Sequence, residues 1–514
     1  LSLMSLQHRI NNKRIAKNTL MLYFRMFLTM GVSLFTSRVV LNVLGVEDYG
    51  TYNVVGGVVA MFSLFTGSMS TAISRFLTYE LGKGRTEKLT SVFSTSVNIQ
   101  ICMAIVITVL AEIGGMWFLD NHMNIPEGRM EAAHWVLHFS ILTFAFNLIS
   151  VSYNAAIIAH EHMSAFAYIG ILEVVLKLVV VYLLYISPVD KLITYAFMLA
   201  AVAFVIRFIY GVYCSRNFEE CHYRMVFDGR LLKQMTGFAG WNLLGTGAYL
   251  FNTQGVNIIT NIFFGVTTNA ARGVAGQVEG IIRQFVGSFT TALNPQITKS
   301  YAAGDMPYMY TLVCRGAKFS YFLMFIFAVP FMFETETIMY VWLKNYPPEA
   351  PLFLRLSMIG VLFDILGNST ANAVWATGRV RRYYIIVGAV GSLVFPISWL
   401  CFVLGGEAYV SYIVFMAVYF AVIFVKLYIV RGLINFPVRM FYRDVLLRIA
   451  LVSVLAAVLP AVFYLCMDDM LSRCFAVCAV SLLSSSGLIY GIGLSQGERA
   501  MINGKIRTVL KRVR

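Results

Sequence analysis

The chain consists of long apolar stretches separated by short polar segments. A helix that crosses a bilayer needs about 20 mostly apolar residues, and fourteen stretches satisfy this rule. Their apolar residues run continuously instead of alternating, which excludes an outer-membrane β-barrel. The predicted spans are 18–43, 50–76, 91–116, 132–159, 165–187, 190–213, 235–263, 268–294, 311–333, 351–375, 383–404, 408–432, 446–466 and 472–494. The pattern therefore predicts an all-α polytopic membrane protein with about fourteen transmembrane helices.

Composition agrees with this prediction. Hydrophobic residues make up 59% of the 514 positions and charged residues only 13%, with a mean hydropathy of +0.74. Soluble domains are about 45–50% apolar and about 25% charged, so a soluble multidomain enzyme is excluded. The sequence has no phosphate-binding loop, catalytic triad or zinc motif. We therefore expect a protein that is not an enzyme, with no resident cofactor or metal.

The distribution of basic residues predicts the orientation in the membrane. Of the 40 Lys and Arg, 25 lie at the termini or in and beside the even-numbered loops. Only four lie on the other side: Arg129, Lys191, Lys344 and Arg473. Because cytoplasmic loops carry the excess of Lys and Arg, both termini are predicted to be cytoplasmic. The net charge of +15 is explained in the same way, and nucleic acid is not an expected partner.

A shift of 220 residues reveals an internal repeat. It aligns GVEDYGTYNVVGGVVAMFSLFTGSMSTA, from Gly45, with GVTTNAARGVAGQVEGIIRQFVGSFTTA, from Gly265, with ten identities over 28 positions. Six spans separate the two copies, and an even offset preserves chain direction, so the repeats are parallel. The predicted organisation is a first six-helix lobe (1–214), a second (215–434), and two additional helices with a basic tail (435–514). We expect the repeated small residues, such as Gly56 and Gly67, to allow close helix packing.

The segments LNVLGVEDYG (41–50) and SRFLTYELGKG (74–84) resemble the polysaccharide flippases of the multidrug/oligosaccharidyl-lipid/polysaccharide exporter superfamily. Two six-span lobes followed by two further helices are also similar to that group, and the resemblance covers residues 14–435. It implies alternating access around a central cavity. It also implies a lipid-linked oligosaccharide as the substrate.

Charges inside the membrane are costly, at about 2.5–3.5 kcal/mol each near the bilayer centre, so each needs a partner or a wet cavity. In the eighth span Arg272, Glu279 and Arg283 lie close to one helical face, over about 16 Å of rise. Glu279 can pair fully with only one arginine. The remaining positive charge suits a cavity that an anionic headgroup passes, and a buried structural network is the alternative.

Three further charges are candidates for the same cavity. In the first span, Arg25 lies about a third of the way in and Arg38 lies near the periplasmic end. Asp364, in the tenth span, has no ionic partner within a turn of its own helix. It can pair with an arginine of another helix, or it can bind a coupling proton or Na⁺ ion, as Glu279 can. Lys318 and Lys426, near cytoplasmic ends, are expected to extend toward water.

The seventh span is rich in amides, which can bind sugar hydroxyls or can hydrogen-bond between helices. The candidates for sugar binding are Asn242, Asn252, Gln254 and Asn257.

Together these features predict a flippase that moves an undecaprenyl-pyrophosphate-type oligosaccharide across the bacterial inner membrane. We expect transport to be coupled to an ion and the protein to be a monomer. A cation-coupled multidrug exporter of the same superfamily and a lipid II flippase are the alternatives. A membrane-embedded glycan ligase or polymerase is a third, but the periplasmic loops are short for it.

Overall fold

Helices account for nearly all of the computed structural model. It describes residues 2–500 and 503, except 61, 85, 123–124, 126–127, 225–227 and 344–345. The side chains of some further helical residues, including that of Arg38, lie outside the description. Within these described residues there is no β-strand. The all-α prediction is therefore confirmed.

The chain forms sixteen α-helices in the described residues, with a short 3-10 turn at Glu219–Cys221 and π-helical turns at Tyr442–Leu446 and Ile489–Gly493. The first seven are α1 (Ser2–Ala60), α2 (Ser63–Gly82), α3 (Thr86–His122), α4 (Met130–Ala159), α5 (Met163–Ile186), α6 (Lys191–Asn217) and α7 (Gly229–Ala302). The others are α8 (Met306–Leu343), α9 (Ala350–Leu366), α10 (Asn368–Thr377), α11 (Arg381–Ser392), α12 (Val394–Val403), α13 (Val410–Ile434), α14 (Val438–Phe441), α15 (Leu447–Cys466) and α16 (Met470–Leu488).

Two of these helices turn sharply at glycine. Gly45 interrupts α1 with φ +80° and ψ 171°, and Gly265 interrupts α7 with φ +83° and ψ −173°. Only glycine adopts this region readily, because it has no Cβ. The two residues are equivalent in the 220-residue repeat, so the same backbone turn occurs at the same place in each copy.

Ten helical segments in the described part of the chain are long and apolar enough to cross a membrane. They coincide with predicted spans three to six and nine to fourteen. The other four predicted spans lie in α1, α2 and α7, the helices that contain or follow the turns at Gly45 and Gly265.

The chain forms two compact units. The first contains Leu1–Gly247 and Thr291–Asp305, and the second contains Ala248–Thr290 and Met306–Arg514. The lobes at 1–214, 215–434 and 435–514, which rest on the repeat, stay a prediction.

In the first unit, an apolar core joins α1, α3, α4 and α6 through Val55, Leu119, Val136, Leu137 and Leu192. At one end of this core Arg129 donates from Nε to Oδ1 of Asp48 (2.7 Å). Its Nη1 donates to Oδ2 of Asp190 (2.5 Å). One arginine therefore ties together the segment after the Gly45 turn, the start of α4 and the start of α6.

The turn between α4 and α5 of the first unit carries a buried carboxylate. Glu161 has φ +62°, and its side chain is 0% exposed. Its Oε1 accepts a hydrogen bond from Nζ of Lys299 (2.5 Å), and its Oε2 accepts one from Nε2 of Gln296 (2.5 Å). The Glu161 carbonyl accepts from Nδ2 of Asn18 (3.2 Å). This turn therefore binds both α1 and the end of α7.

In the second unit, Val256, Val394, Val418, Tyr419 and Val422 pack α7, α12 and α13 together. The expectation that Lys318 and Lys426 extend toward water is wrong, because both side chains are buried. Nζ of Lys318 lies 2.6 Å from Oε2 of Glu498, and both side chains are 3% exposed. This pair joins α8 to the segment after α16.

The expected role of the repeated glycines is also wrong at the positions described. Gly56 and Gly67 have no atom within 4 Å of where a Cβ would be. The close contacts occur at other glycines: a Cβ on Gly82 would lie 2.9 Å from the Lys299 backbone, and one on Gly170 would lie 2.6 Å from Nε of Arg25. A glycine is required where another segment of the chain packs closely against the helix. The positions of these close contacts do not follow the 220-residue repeat.

Candidate functional site

A small cavity lies inside the second unit, where α7 faces α9, α12 and α13. Its volume is about 60 Å³, which is room for a few water molecules and too little for a sugar. Three predicted site residues line it: Asn252, Arg272 and Glu279. The other lining residues are Tyr249, Thr253, Val256, Ser357, Val394, Ser411, Tyr412 and Phe415.

Arg272 is held in this cavity by neutral groups. Its Nε donates to Oδ1 of Asn257, and its Nη1 donates to the hydroxyl of Ser411 (3.2 Å). The guanidinium carbon lies 4.9 Å from the ring centroid of Tyr412, a cation–π contact. Within the described residues no carboxylate lies within ion-pair distance of Arg272. Its positive charge is therefore fixed in place without being neutralised by direct contact.

Arg283 has the opposite surroundings. Its Nε donates to Oε1 of Glu279 (2.7 Å), four residues earlier on α7. Its Nη1 donates to Oδ2 of Asp364 (2.6 Å) on α9. The side chains of all three residues are less than one quarter exposed. Of the two alternatives for Asp364, pairing with an arginine of another helix is therefore what the structure contains, and Arg283 bridges two carboxylates.

The amides of the first half of α7 make contacts of different kinds. Asn252 is 2% exposed and donates from Nδ2 to the Gly391 carbonyl (3.1 Å). Its Oδ1, which is buried, accepts no hydrogen bond from a described residue. Asn257 contacts Arg272 and also donates to Oε1 of the exposed Gln254 (3.0 Å). Asn252 is thus the amide that both lines the cavity and keeps an open acceptor.

Three predicted candidates, Arg25, Arg38 and Asn242, belong to the first unit instead. The guanidinium carbon of Arg25 lies 4.2 Å from the ring centroid of Phe166, and its Nε packs against Gly170 of α5. No described carboxylate forms an ion pair with it. Asn242 is 5% exposed and accepts from the Thr246 hydroxyl (3.3 Å). The side chain of Arg38 falls outside the described residues.

The sequence did not single out the residues that complete the cavity, including Tyr249, Ser357, Ser411 and Tyr412. They come from α7, α9 and α13, and neutral polar residues are common in any span, so no pattern marked them. The sequence places Lys426 of α13 near a membrane end and gives no sign of burial. It is 5% exposed, and its Nζ lies against Gly367, next to the end of α9.

The fold is similar to that of solved membrane transporters. A crystal structure of a MATE point mutant matches with a TM-score of 0.70 and 12% identity, covering 82% of this chain and 96% of that chain. A multidrug resistance MATE family transporter in an outward-facing conformation matches equally well in all four measures. A MOP superfamily transporter from Pyrococcus furiosus Vc1 (DSM3638) matches with a TM-score of 0.69, at the same identity and coverage. The chain therefore has a helical fold similar to that of these transporters.

A family model for "Polysaccharide biosynthesis protein" matches residues 15–301. Because this is more than half of the chain, the protein belongs to that family. The uncharacterized membrane protein EpsK of Bacillus subtilis (strain 168) is 21% identical over 282 residues, which are 54% of this chain and 55% of EpsK. The match thus spans about half the length of that relative.

Proposed function

We propose that this protein is a flippase for a polyprenyl-pyrophosphate-linked oligosaccharide, and that it moves its substrate from the cytoplasmic to the periplasmic leaflet of a bacterial inner membrane by alternating access. Membership of the polysaccharide biosynthesis family and the transporter fold support transport of a polysaccharide precursor. The undecaprenyl carrier, the choice of membrane and the cytoplasmic location of both termini belong to the same proposal.

The main support for the proposal is the environment of Arg272. Its guanidinium is held by Asn257, Ser411 and Tyr412 and has no described carboxylate in contact. A pyrophosphate needs fixed positive charge to cross a low-dielectric region, and guanidinium suits it because it donates two parallel hydrogen bonds. Arg25 of the first unit, stacked on Phe166, is a second cation of the same kind.

The multidrug-exporter alternative fits this site less well. A cationic drug needs carboxylates that are free to receive it. Glu279 and Asp364 are the in-span carboxylates that the sequence offers for this role, and both contact Arg283. The charged cavity residue without an opposite charge in contact among the described residues is therefore Arg272, a cation.

Transport of a fluorescent lipid-linked oligosaccharide in proteoliposomes tests the function. We expect Arg272→Gln to lower the initial rate by about tenfold or more, since a charge-assisted hydrogen bond contributes about 1.5–3 kcal/mol. Arg272→Lys should recover only part of the rate, because an ammonium keeps the charge but loses the forked geometry. Arg431→Gln, at an exposed position at the end of α13, is the control. Equal rates in wild type and Arg272→Gln would contradict the role of Arg272.

Ion coupling is the second part of the proposal, and Glu279 is the better candidate for it. Both carboxylates contact Arg283, but Glu279 lines the water-sized cavity and is 23% exposed, whereas Asp364 is not among the lining residues and is 13% exposed. We expect Glu279→Gln to remove the dependence of transport on a proton or Na⁺ gradient while substrate binding survives. Loss of binding and transport together would instead indicate a structural ion pair.

Cysteine labelling tests the orientation. Single cysteines at Glu349 and Glu407 should react with a membrane-impermeant reagent from the periplasmic side. Those at Gly84 and Arg381 should react only after the membrane is opened. All four positions are exposed in the structure, so access by the reagent is not limited by the fold. Labelling of Gly84 from outside would overturn the orientation.

A further inference from the structure

A second and larger cavity lies in the first unit, at the ends of α2, α3 and α7. Its volume is about 520 Å³, within the usual range of about 300–1,000 Å³ for small-molecule sites. Three basic residues line it: Arg75 of α2, Lys88 of α3 and Arg230 of α7. The basic segment KGRTEK (83–88) runs from the end of α2 into the start of α3, and the orientation proposed above places it in the cytoplasm.

Aromatic rings hold Arg75 at this cavity. Its guanidinium carbon lies 4.6 Å from the ring centroid of Phe76, 4.9 Å from that of Tyr79 and 5.9 Å from that of Phe238. Phe76 and Tyr79 also line the cavity. Stacking on aromatic rings fixes the plane of the guanidinium at the cavity wall, and a fixed, planar cation suits phosphate recognition.

The two acidic residues of the cavity, Asp228 and Glu80, differ in whether their carboxylate oxygens already accept hydrogen bonds. Oδ1 of Asp228 accepts from the backbone N–H groups of Arg230 and Leu231 (3.0 Å each) and so caps α7. Glu80 lines the cavity, and its Oε2 is enclosed without a hydrogen bond from any described residue. A buried carboxylate oxygen without a donor is costly. A ligand hydroxyl group can supply that donor.

We propose that this cavity is a docking site for a phosphorylated glycan, in which Arg75 and Arg230 bind the phosphate groups, Glu80 accepts from sugar hydroxyls and Tyr79 packs against the sugar. The inference rests on the proposed function, to which it adds a loading step at the cytoplasmic ends of α2, α3 and α7. Cations alone would suit any anion. The combination of cations with an open carboxylate oxygen and aromatic rings favours a ligand with both phosphate and hydroxyl groups.

Calorimetry on the purified full chain tests the site with three ligands: a short-chain prenyl-diphosphate disaccharide, the disaccharide without phosphate, and inorganic pyrophosphate. We expect the first to bind most tightly. The double variant Arg75→Gln, Arg230→Gln should weaken it by about tenfold or more, from the loss of two charge-assisted contacts. Glu80→Gln should weaken the glycan diphosphate more than pyrophosphate. Lys233→Gln, exposed on the first turns of α7 and outside the cavity, should bind as wild type.

The melting temperature of each variant shows whether it folds. If the double variant does not fold, the affinity is measured with Arg230→Gln alone, because Arg230 is at an exposed position. Unchanged affinity in the folded variants would overturn the site. Equal affinity for pyrophosphate and the glycan diphosphate would overturn the glycan assignment. Competition by phosphatidylethanolamine vesicles at the same residues would assign the site to a phospholipid and overturn it as well.

Transport in proteoliposomes separates this inference from the proposed function. In a loading site, the double variant should raise the substrate concentration for half-maximal rate about tenfold, with a smaller effect on the maximal rate. If wild type flips the glycolipid and the double variant has unchanged affinity and transport, the docking site fails and the flippase stands. If wild type flips nothing although the glycan diphosphate binds at Arg75 and Arg230, the flippase fails and the binding site stands.

Discussion

Nη1 of Arg283 lies 2.6 Å from Oδ2 of Asp364, and this ion pair joins α7 to α9 within the second unit. Because the same guanidinium also contacts Glu279, two negative charges depend on one positive charge. Removing the arginine leaves both carboxylates without their partner. A partly buried charge without a partner is strongly destabilising.

We therefore expect Arg283→Gln to destabilise the second unit by about 3 kcal/mol, seen as a lower melting temperature in detergent. The triple variant Arg283→Gln, Glu279→Gln, Asp364→Asn should recover most of the loss, because it removes the uncompensated charges. Arg272→Gln is the matched comparison on the same helix face and should melt close to wild type, since Arg272 contacts no described carboxylate. A folded, fully stable Arg283→Gln would show that the pair is not structural.

The sequence predicted the parts of this site that lie on one helix. The spacing of Arg272, Glu279 and Arg283 placed them on one face of α7, and two of them line the same cavity. Asp364 lies 81 residues from Arg283, and no periodicity connects positions on different helices. Sequence reasoning could therefore offer pairing or ion binding for Asp364 without choosing between them.

In the fold as well, the sequence predicts local features but does not predict contacts between distant residues. Apolar length predicted ten segments that the described structure also contains, because a spanning helix is a local property. The partners of buried charges are set by tertiary packing. Nζ of Lys318 donates a hydrogen bond to Glu498, 180 residues away. The position of Lys318 near a membrane end therefore led to the wrong prediction that its side chain extends toward water. In the repeat, the identities at Gly45 and Gly265 correspond to a shared backbone turn, but those at Gly56 and Gly67 do not correspond to close packing.

The turns at Gly45 and Gly265 predict that alanine is poorly tolerated there. Both have positive φ with extended ψ, a region that is nearly restricted to glycine, and occupying it with another residue costs about 1–3 kcal/mol. Gly45→Ala and Gly265→Ala should each lower the melting temperature, although a Cβ would meet no neighbour at either position. Gly56→Ala and Gly276→Ala, which are helical with open space around them, should be neutral or slightly stabilising. Equal effects at all four positions would contradict the strain argument.

Asp190 predicts a pH-dependent contribution to stability. Burial raises the pKa of its carboxyl, but the hydrogen bond from Arg129 and the backbone N–H of Ile193 outweigh burial and leave the pKa below 3.8. A depressed pKa stabilises the folded protein above the unfolded value, and that stability is lost as pH falls through the folded pKa. The melting-temperature difference between wild type and Asp190→Asn should therefore shrink as the pH falls below about 5 and through the lowered pKa of Asp190.

Asparagine can still cap α6, whose first N–H groups bind Asp190, so Asp190→Asn isolates the charge. Asp190→Ala removes the cap as well and should cost about 1 kcal/mol more at every pH. If the difference between wild type and Asp190→Asn stayed constant over this pH range, the ion pair with Arg129 would not contribute to stability.

The buried carboxylate of Glu161 is expected to stabilise the first unit through its ion pair with Lys299. It is fully buried and lies 2.5 Å from Nζ of Lys299, so Glu161→Gln leaves an ammonium without its partner, at a cost of about 3–5 kcal/mol. Glu87→Gln, exposed in the first turn of α3, should have little effect. Residues in contact give non-additive changes. The double variant Glu161→Gln, Lys299→Gln should therefore melt higher than Glu161→Gln alone. If the loss of stability in the double variant equalled the sum of the losses in the two single variants, Glu161 and Lys299 would not depend on each other.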